Sequence, residues 1–139
     1  MVLTLLGFWF ESPLFLTLYE NTAMQIAGSL FVLVGFINLQ LTFNHLGRHY
    51  SPSFDDYIPS ELVTYGHYRF IRHPIYLFNL FVSFGLAAAS GSTFVMANAA
   101  IGLFFILKII TMEEACLRLH FPNYQVYAKE TWRLLPFCY

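Results

Sequence analysis

Residues 23–43 contain no charged side chain, and apolar residues dominate the stretch from end to end. A helix rises about 1.5 Å per residue, so a run this long crosses a hydrocarbon layer about 30 Å thick. Of the 139 residues, 58% are hydrophobic and 11% charged, whereas soluble domains are roughly 25% charged. A soluble domain of this size buries about two-thirds of the surface its chain exposes. That is too little to hide so much apolar side chain, which leaves lipid as the solvent. The net charge of −1 and the absence of any Lys/Arg-rich run give no footing for nucleic acid.

Three other runs fit the same picture. Residues 93–112 are interrupted only by Asn98 and Lys108, and residues 74–89 form a shorter run ahead of the turn Ser90-Gly91-Ser92. Residues 2–19 are long enough, but Glu11 and Pro13 at their middle predict a kinked span or a re-entrant bend. They do not read as a cleaved leader, since no basic segment precedes them. The expected fold is all-α: one domain, an integral membrane bundle of about four helices (2–19, 23–43, 74–89 and 93–112).

The polar stretches 45–73 and 113–139 carry the arginines, whereas the turns Glu20-Asn21-Thr22 and Ser90-Gly91-Ser92 carry no Lys or Arg. The positive-inside bias therefore assigns the loop, the tail and the N-terminus to the cytoplasm. Small residues (Gly85, Ala87, Ala88 and Ala89, then Ala97, Ala99, Ala100 and Gly102) are expected to face each other across the 74–112 hairpin and let its helices approach. In the tail, residues 113–120 extend the last helix and Phe121-Pro122-Asn123 breaks it. Residues 124–132 restart it, with Tyr124, Tyr127 and Trp132 suited to an interfacial belt.

Charge beside lipid costs about 2.5–3.5 kcal/mol at a helix centre, so polar clusters at the hairpin's two feet carry information. At one foot, Pro74 suits a helix's first turn, which sets His73 at the N-cap and Arg72 just outside. A helix N-terminus with an arginine beside it favours a carboxylate or phosphate. The plainer reading is that Arg72 snorkels to lipid phosphate and His73 caps the helix. At the other foot stand Glu113 and Glu114, able to accept from an amine or from ribose hydroxyls. Their plainer role is a surface pair, Glu114 with Arg118 at i,i+4. A tight hairpin brings the two feet together, and an amino acid's carboxylate and ammonium need that pairing of charges.

Several ordered motifs then resemble the membrane methyltransferases, which include isoprenylcysteine carboxyl methyltransferase and the bacterial phospholipid methyltransferases. They are Leu62-Val-Thr-x-Gly66-x-Tyr68-Arg69-x-x-Arg72-His73-Pro74-x-Tyr76, Glu113-Glu114-x-x-Leu117, Tyr124-x-x-Tyr127 and Arg133-x-x-Pro136, with His45-Leu46-Gly47-Arg48 upstream. The resemblance implies S-adenosylmethionine as methyl donor, bound near the cytoplasmic face under a cap made by the C-terminal segment. It implies that His73 and Tyr76 hold the donor with Arg72 at its carboxylate, and that Tyr68 and one or both of Glu113 and Glu114 complete the pocket. Arg133 is then the candidate for orienting a lipophilic methyl acceptor: a prenylated cysteine carboxylate, an isoprenoid acid or a lipid amine.

The chain departs from that pattern at Phe78, where the family usually has Gly against the ligand, at His67 for Pro, and at Pro122 for Gly. Phe78 is the departure expected to narrow the pocket. The membrane sterol reductases end in a similar His-Pro-x-Tyr but use a nicotinamide cofactor, and a non-catalytic small membrane protein is the other alternative. No metal is expected: His45 and His49 share one helix face, but membrane di-iron sites need several such boxes. Cys116 and Cys138 suggest neither a disulfide framework nor a metal site. So few helices make a homodimer a reasonable expectation.

Overall fold

The computed structural model describes residues 17–47 and 61–136. Within them the regular secondary structure is helical, with two isolated β-bridges in the connecting segments. Helix α1 runs Thr22–Leu46 (25 residues), α2 Pro74–Ser90 (17), α3 Thr93–His120 (28) and α4 Tyr124–Glu130 (7). A short 3₁₀ turn, Gly66–Arg69, lies in the loop before α2. The expected span 2–19, with Glu11 and Pro13, falls outside the described residues except for residues 17–19. These run non-helically against the far turn, with Leu18 N donating to Gly91 O at 2.8 Å and Tyr19 Oη to Ala88 O at 2.7 Å. Arg48, His49 and Cys138 also lie outside.

Local chemistry sets the ends of these helices. Asn21 caps α1, its side-chain oxygen accepting from Ala23 N at 2.9 Å and Met24 N at 3.2 Å. Gly91 closes α2 in the left-handed region (φ 62°), its N–H returning to Ala87 O at 3.0 Å. Phe121-Pro122-Asn123 ends α3 as expected, and α4 stops at Glu130, short of Trp132.

Helices α1 and α3 are long and apolar enough to cross a membrane, and α2 is shorter. Their most apolar stretches are only 17% and 11% buried within the protein. The core helix of a soluble protein would be largely covered, whereas these present Leu30, Phe31, Phe36, Phe104 and Phe105 outward.

The closest helix approach differs from expectation. It lies between α1 and α2, where a Cβ at Gly28 would stand 2.6 Å from Gly85 O, and one at Gly85 would stand 2.9 Å from Gly28 O. Gly102 on α3 has nothing within 4 Å of such a position. Backbones touch where two glycines meet, and Gly85 finds its counterpart on α1 instead of across the hairpin. Ala87 and Ala99 are nonetheless buried. Below this seam Ile71, Leu77, Phe78, Leu80, Ile110 and Leu134 form one apolar cluster joining the loop, α2, α3 and the tail. That cluster fixes the two hairpin feet against the C-terminal segment.

Candidate functional site

Glu114 is the centre of the hairpin's foot. It is 1% exposed, and both its oxygens are engaged by cations from three segments. Oε1 accepts from Arg72 Nε at 2.9 Å and Arg133 Nε at 3.0 Å; Oε2 accepts from Arg133 Nη2 at 2.7 Å. Arg118, one turn further along α3, approaches Oε2 at 3.4 Å and stays half exposed. Charge-assisted bonds of this length are roughly twice as strong as neutral ones, and at a buried carboxylate they offset desolvation.

His73 occupies the N-cap position of α2 but makes no cap hydrogen bond. Its ring turns inward, with Nδ1 3.5 Å from Glu113 Oε2 and Nε2 3.4 Å from Glu114 Oε1. Burial works against the ring's proton, but the close carboxylates of Glu113 and Glu114 outweigh it and raise its pKa above the ordinary imidazole value. Burial likewise disfavours the Glu114 carboxylate, yet bonds from His73, Arg133 and Arg72 hold it well below the usual range. Two guanidiniums thus close on the Glu114 carboxylate, with the His73 ring between Glu114 and Glu113.

Arg72 also ties the cap down. Its Nη1 donates to Ala128 O at 2.7 Å and to Thr131 O. Around it Arg72 N donates to Trp132 O at 2.8 Å, Trp132 N to Phe70 O at 2.9 Å and Tyr127 Oη to Tyr68 O at 2.7 Å. With a side chain 11% exposed, Arg72 does not snorkel to lipid.

Of the seven residues singled out in sequence, Arg72, His73, Glu113, Glu114 and Arg133 meet in this cluster. Tyr76 is adjacent, its ring centroid 5.8 Å from that of His73. Tyr68 is buried on the loop and joins the cap through its carbonyl. Tyr124 corrects the interfacial-belt reading: it is 1% exposed and stacks edge-on to Tyr127 at 6.0 Å, whereas Trp132 is 41% exposed. Thr131 was not singled out, and a lone threonine in a polar tail gave no signal for its part in the clasp.

Two buried polar atoms beside the cluster, Glu113 Oε2 and Tyr124 Oη, have no hydrogen-bond partner among the described residues. Glu113 Oε2 keeps its ion-pair contact with His73 Nδ1 at 3.5 Å, whereas a buried phenol without a hydrogen bond is costly unless another group completes it. A carboxylate acceptor, an available hydroxyl and a set of cations suit a ligand bearing both ammonium and carboxylate.

The departures at positions 67 and 78 prove to be neighbours. The Phe78 ring packs edge-on to His67 at 5.1 Å and to Phe81 at 6.0 Å, within the apolar cluster. His67 is held from α1: Thr42 Oγ1 donates to Asn38 O at 2.7 Å, so it accepts from His67 Nδ1 at 2.9 Å. Burial, then the nearby His45, lowers the His67 pKa and keeps the ring neutral.

Fold and site together define a membrane-associated helical protein with an ionic centre at the foot of an apolar hairpin. The chain belongs to the phospholipid methyltransferase family, whose pattern it matches over residues 21–124. That family comprises membrane-associated methyltransferases that generally use S-adenosylmethionine. The match covers six of the seven site residues, and Arg133 lies beyond it. No curated protein matches the chain closely enough to count as a relative.

Proposed function

We propose that this protein transfers a methyl group from S-adenosylmethionine to a lipophilic acceptor at the membrane surface. The observation that carries this reading is the convergence of Arg72, His73 and Arg133 on Glu114, with Glu113 left to one side. Glu114 acts as organiser, holding three cations converged before any ligand arrives. Arg72 and His73 would take the donor's carboxylate, Glu113 its ammonium, and Tyr68 and Tyr76 would complete the pocket. The bound donor supplies an electrophilic methyl carbon on sulfonium. The protein's share is alignment and exclusion of water, which dominate an in-line displacement.

Arg133 would orient the acceptor from the cap. The family's description favours a phospholipid and hence a lipid amine; such an amine must shed a proton before it attacks. In this reading the chain is multi-pass, with its site facing the cytoplasm, and a homodimer supplies further helix contacts. The test is calorimetric binding of S-adenosylmethionine, with NADPH in parallel, to detergent-purified protein. Saturable binding of the methyl donor alone, weakened by His73→Ala and Glu113→Ala, supports the proposal. Binding of NADPH alone moves the chain to reductive chemistry. Arg133→Ala should slow turnover more than it weakens donor binding.

A further inference from the structure

Tyr124 and Tyr127 stand one turn apart on α4 and use their hydroxyls differently. Tyr127 Oη donates to Tyr68 O at 2.7 Å and so ties the cap to the loop. Tyr124 is buried more deeply, 1% exposed, with its ring edge-on to that of Tyr127 at 6.0 Å. Its Oη has no hydrogen-bond partner among the described residues. Phenylalanine at this position would fill the same space without leaving a polar atom unpaired.

The surroundings of this hydroxyl are those of the ionic centre. Glu114, Arg72, Arg118 and Glu113 all act on it electrostatically, and burial, then the Glu114 carboxylate, pushes the phenol's pKa up. The group therefore keeps its proton at neutral pH and can donate. The neighbouring guanidiniums already have acceptors, Arg72 in Glu114 and the Ala128 and Thr131 carbonyls, Arg133 in both oxygens of Glu114. Of the buried polar atoms without a hydrogen bond among the described residues, Tyr124 Oη is the one O–H beside that cluster, and Glu113 Oε2 is the acceptor. The two do not satisfy each other. A ligand that carries an ammonium and a carboxylate on one carbon offers a partner to each.

We infer that Tyr124 binds the amino-acid end of the methyl donor, its Oη donating to the donor's carboxylate while Glu113 takes the ammonium. The inference rests on the reading of this site as the donor's. It gives the cap a ligand contact of its own, so α4 does more than cover the hairpin foot. A neutral phenol also suits the place better than another guanidinium. It adds a hydrogen bond to a carboxylate without adding to the positive charge gathered around Glu114.

The experiment compares the full chain as wild type, Tyr124→Phe and Tyr127→Phe in detergent, by calorimetric binding and by thermal unfolding. The ligands are S-adenosylmethionine, its decarboxylated analogue, which keeps the amine, and methylthioadenosine, which lacks both groups. Tyr124→Phe should weaken S-adenosylmethionine about tenfold, the scale of one lost hydrogen bond to a charged group. It should leave the other two ligands within about twofold. Without ligand its unfolding temperature should hold or rise, because the hydroxyl removed is an unpaired one. Tyr127→Phe, which strips a bonded hydroxyl, should unfold earlier. Tyr124→Phe unfolding as early as Tyr127→Phe would overturn the inference by showing the hydroxyl bonded within the protein. An equal loss for the decarboxylated analogue would overturn it by taking the hydroxyl away from the carboxylate. Unchanged S-adenosylmethionine affinity in Tyr124→Phe would overturn this inference alone, whereas wild type that binds no donor would overturn it together with the donor reading.

Discussion

Arg133 meets Glu114 side-on, Nε to Oε1 at 3.0 Å and Nη2 to Oε2 at 2.7 Å, although the two residues lie on different elements. This two-point contact locks the tail over the hairpin foot. It also makes Glu114 a different kind of residue from its neighbour Glu113, whose side chain is 23% exposed and pairs, among the described residues, with His73 alone.

Glu114→Gln should therefore destabilise the fold by about 3–5 kcal/mol, the usual cost of leaving buried charges without their partner. Glu113→Gln should cost no more than about 1 kcal/mol, as for a partly exposed pair, while weakening donor binding. Thermal unfolding in detergent with parallel calorimetry checks both, and equal destabilisation by the two variants would contradict the assignment of Glu114 as organiser.

The cluster also predicts a pH window. The folded-state pKa of His73 is raised above 6.5, so its contribution is complete below 6.5 and lost as pH rises through the folded value. The Glu114 pKa is lowered from 4.5, so its contribution is present above 4.5 and lost as pH falls through the folded value. The two overlap in mildly acidic solution. Stability should decline from pH 6 toward pH 9 in wild type, and His73→Asn should flatten that decline. Parallel declines in both proteins would place the titrating group elsewhere.

Phe78→Gly should be destabilising instead of opening a pocket, because the ring is packed with His67 and Phe81. Removing a buried Phe costs about 3–5 kcal/mol, and Gly within a helix adds about 1 kcal/mol. A double-mutant cycle of Phe78→Ala with His67→Ala should return a coupling of about 0.5–1.5 kcal/mol for the edge-on contact. A gain of donor affinity in Phe78→Gly without loss of stability would argue that the ring does obstruct the site.

Gly28→Leu should force α1 from α2, since even a Cβ there meets the Gly85 carbonyl at 2.6 Å. Gly102→Leu, with open space around it, should be tolerated. Comparing the unfolding temperatures of these two variants tests whether the tight seam runs between α1 and α2 or across the hairpin.

Much of this fold is legible in the sequence because punctuation and solvent act locally. Ser90-Gly91-Ser92 marks the hairpin turn, Pro74 opens α2, and Phe121-Pro122-Asn123 ends α3 without help from distant contacts. That these charged residues would gather at one hairpin foot was legible for a similar reason: charged residues beside apolar runs stand out. The division of labour was not. Adjacent glutamates look alike in sequence, and the phase of α3 alone aims Glu114 inward. The meeting of Gly28 with Gly85, the burial of Tyr124 and the Phe78–His67 contact all depend on pairings far apart in the chain, which no local pattern encodes.

The clasp between loop and cap has a consequence for how the protein is made. Arg72 binds Thr131 across a separation of 59 residues, and the apolar hairpin lies between them. The hairpin can enter the membrane as soon as it emerges, but while residues 128–133 are still unmade Arg72 lacks its carbonyl partners and Glu114 lacks Arg133. During synthesis the ionic cluster therefore stays incomplete until residues 128–133 have emerged, and that stretch is what closes it over the hairpin foot.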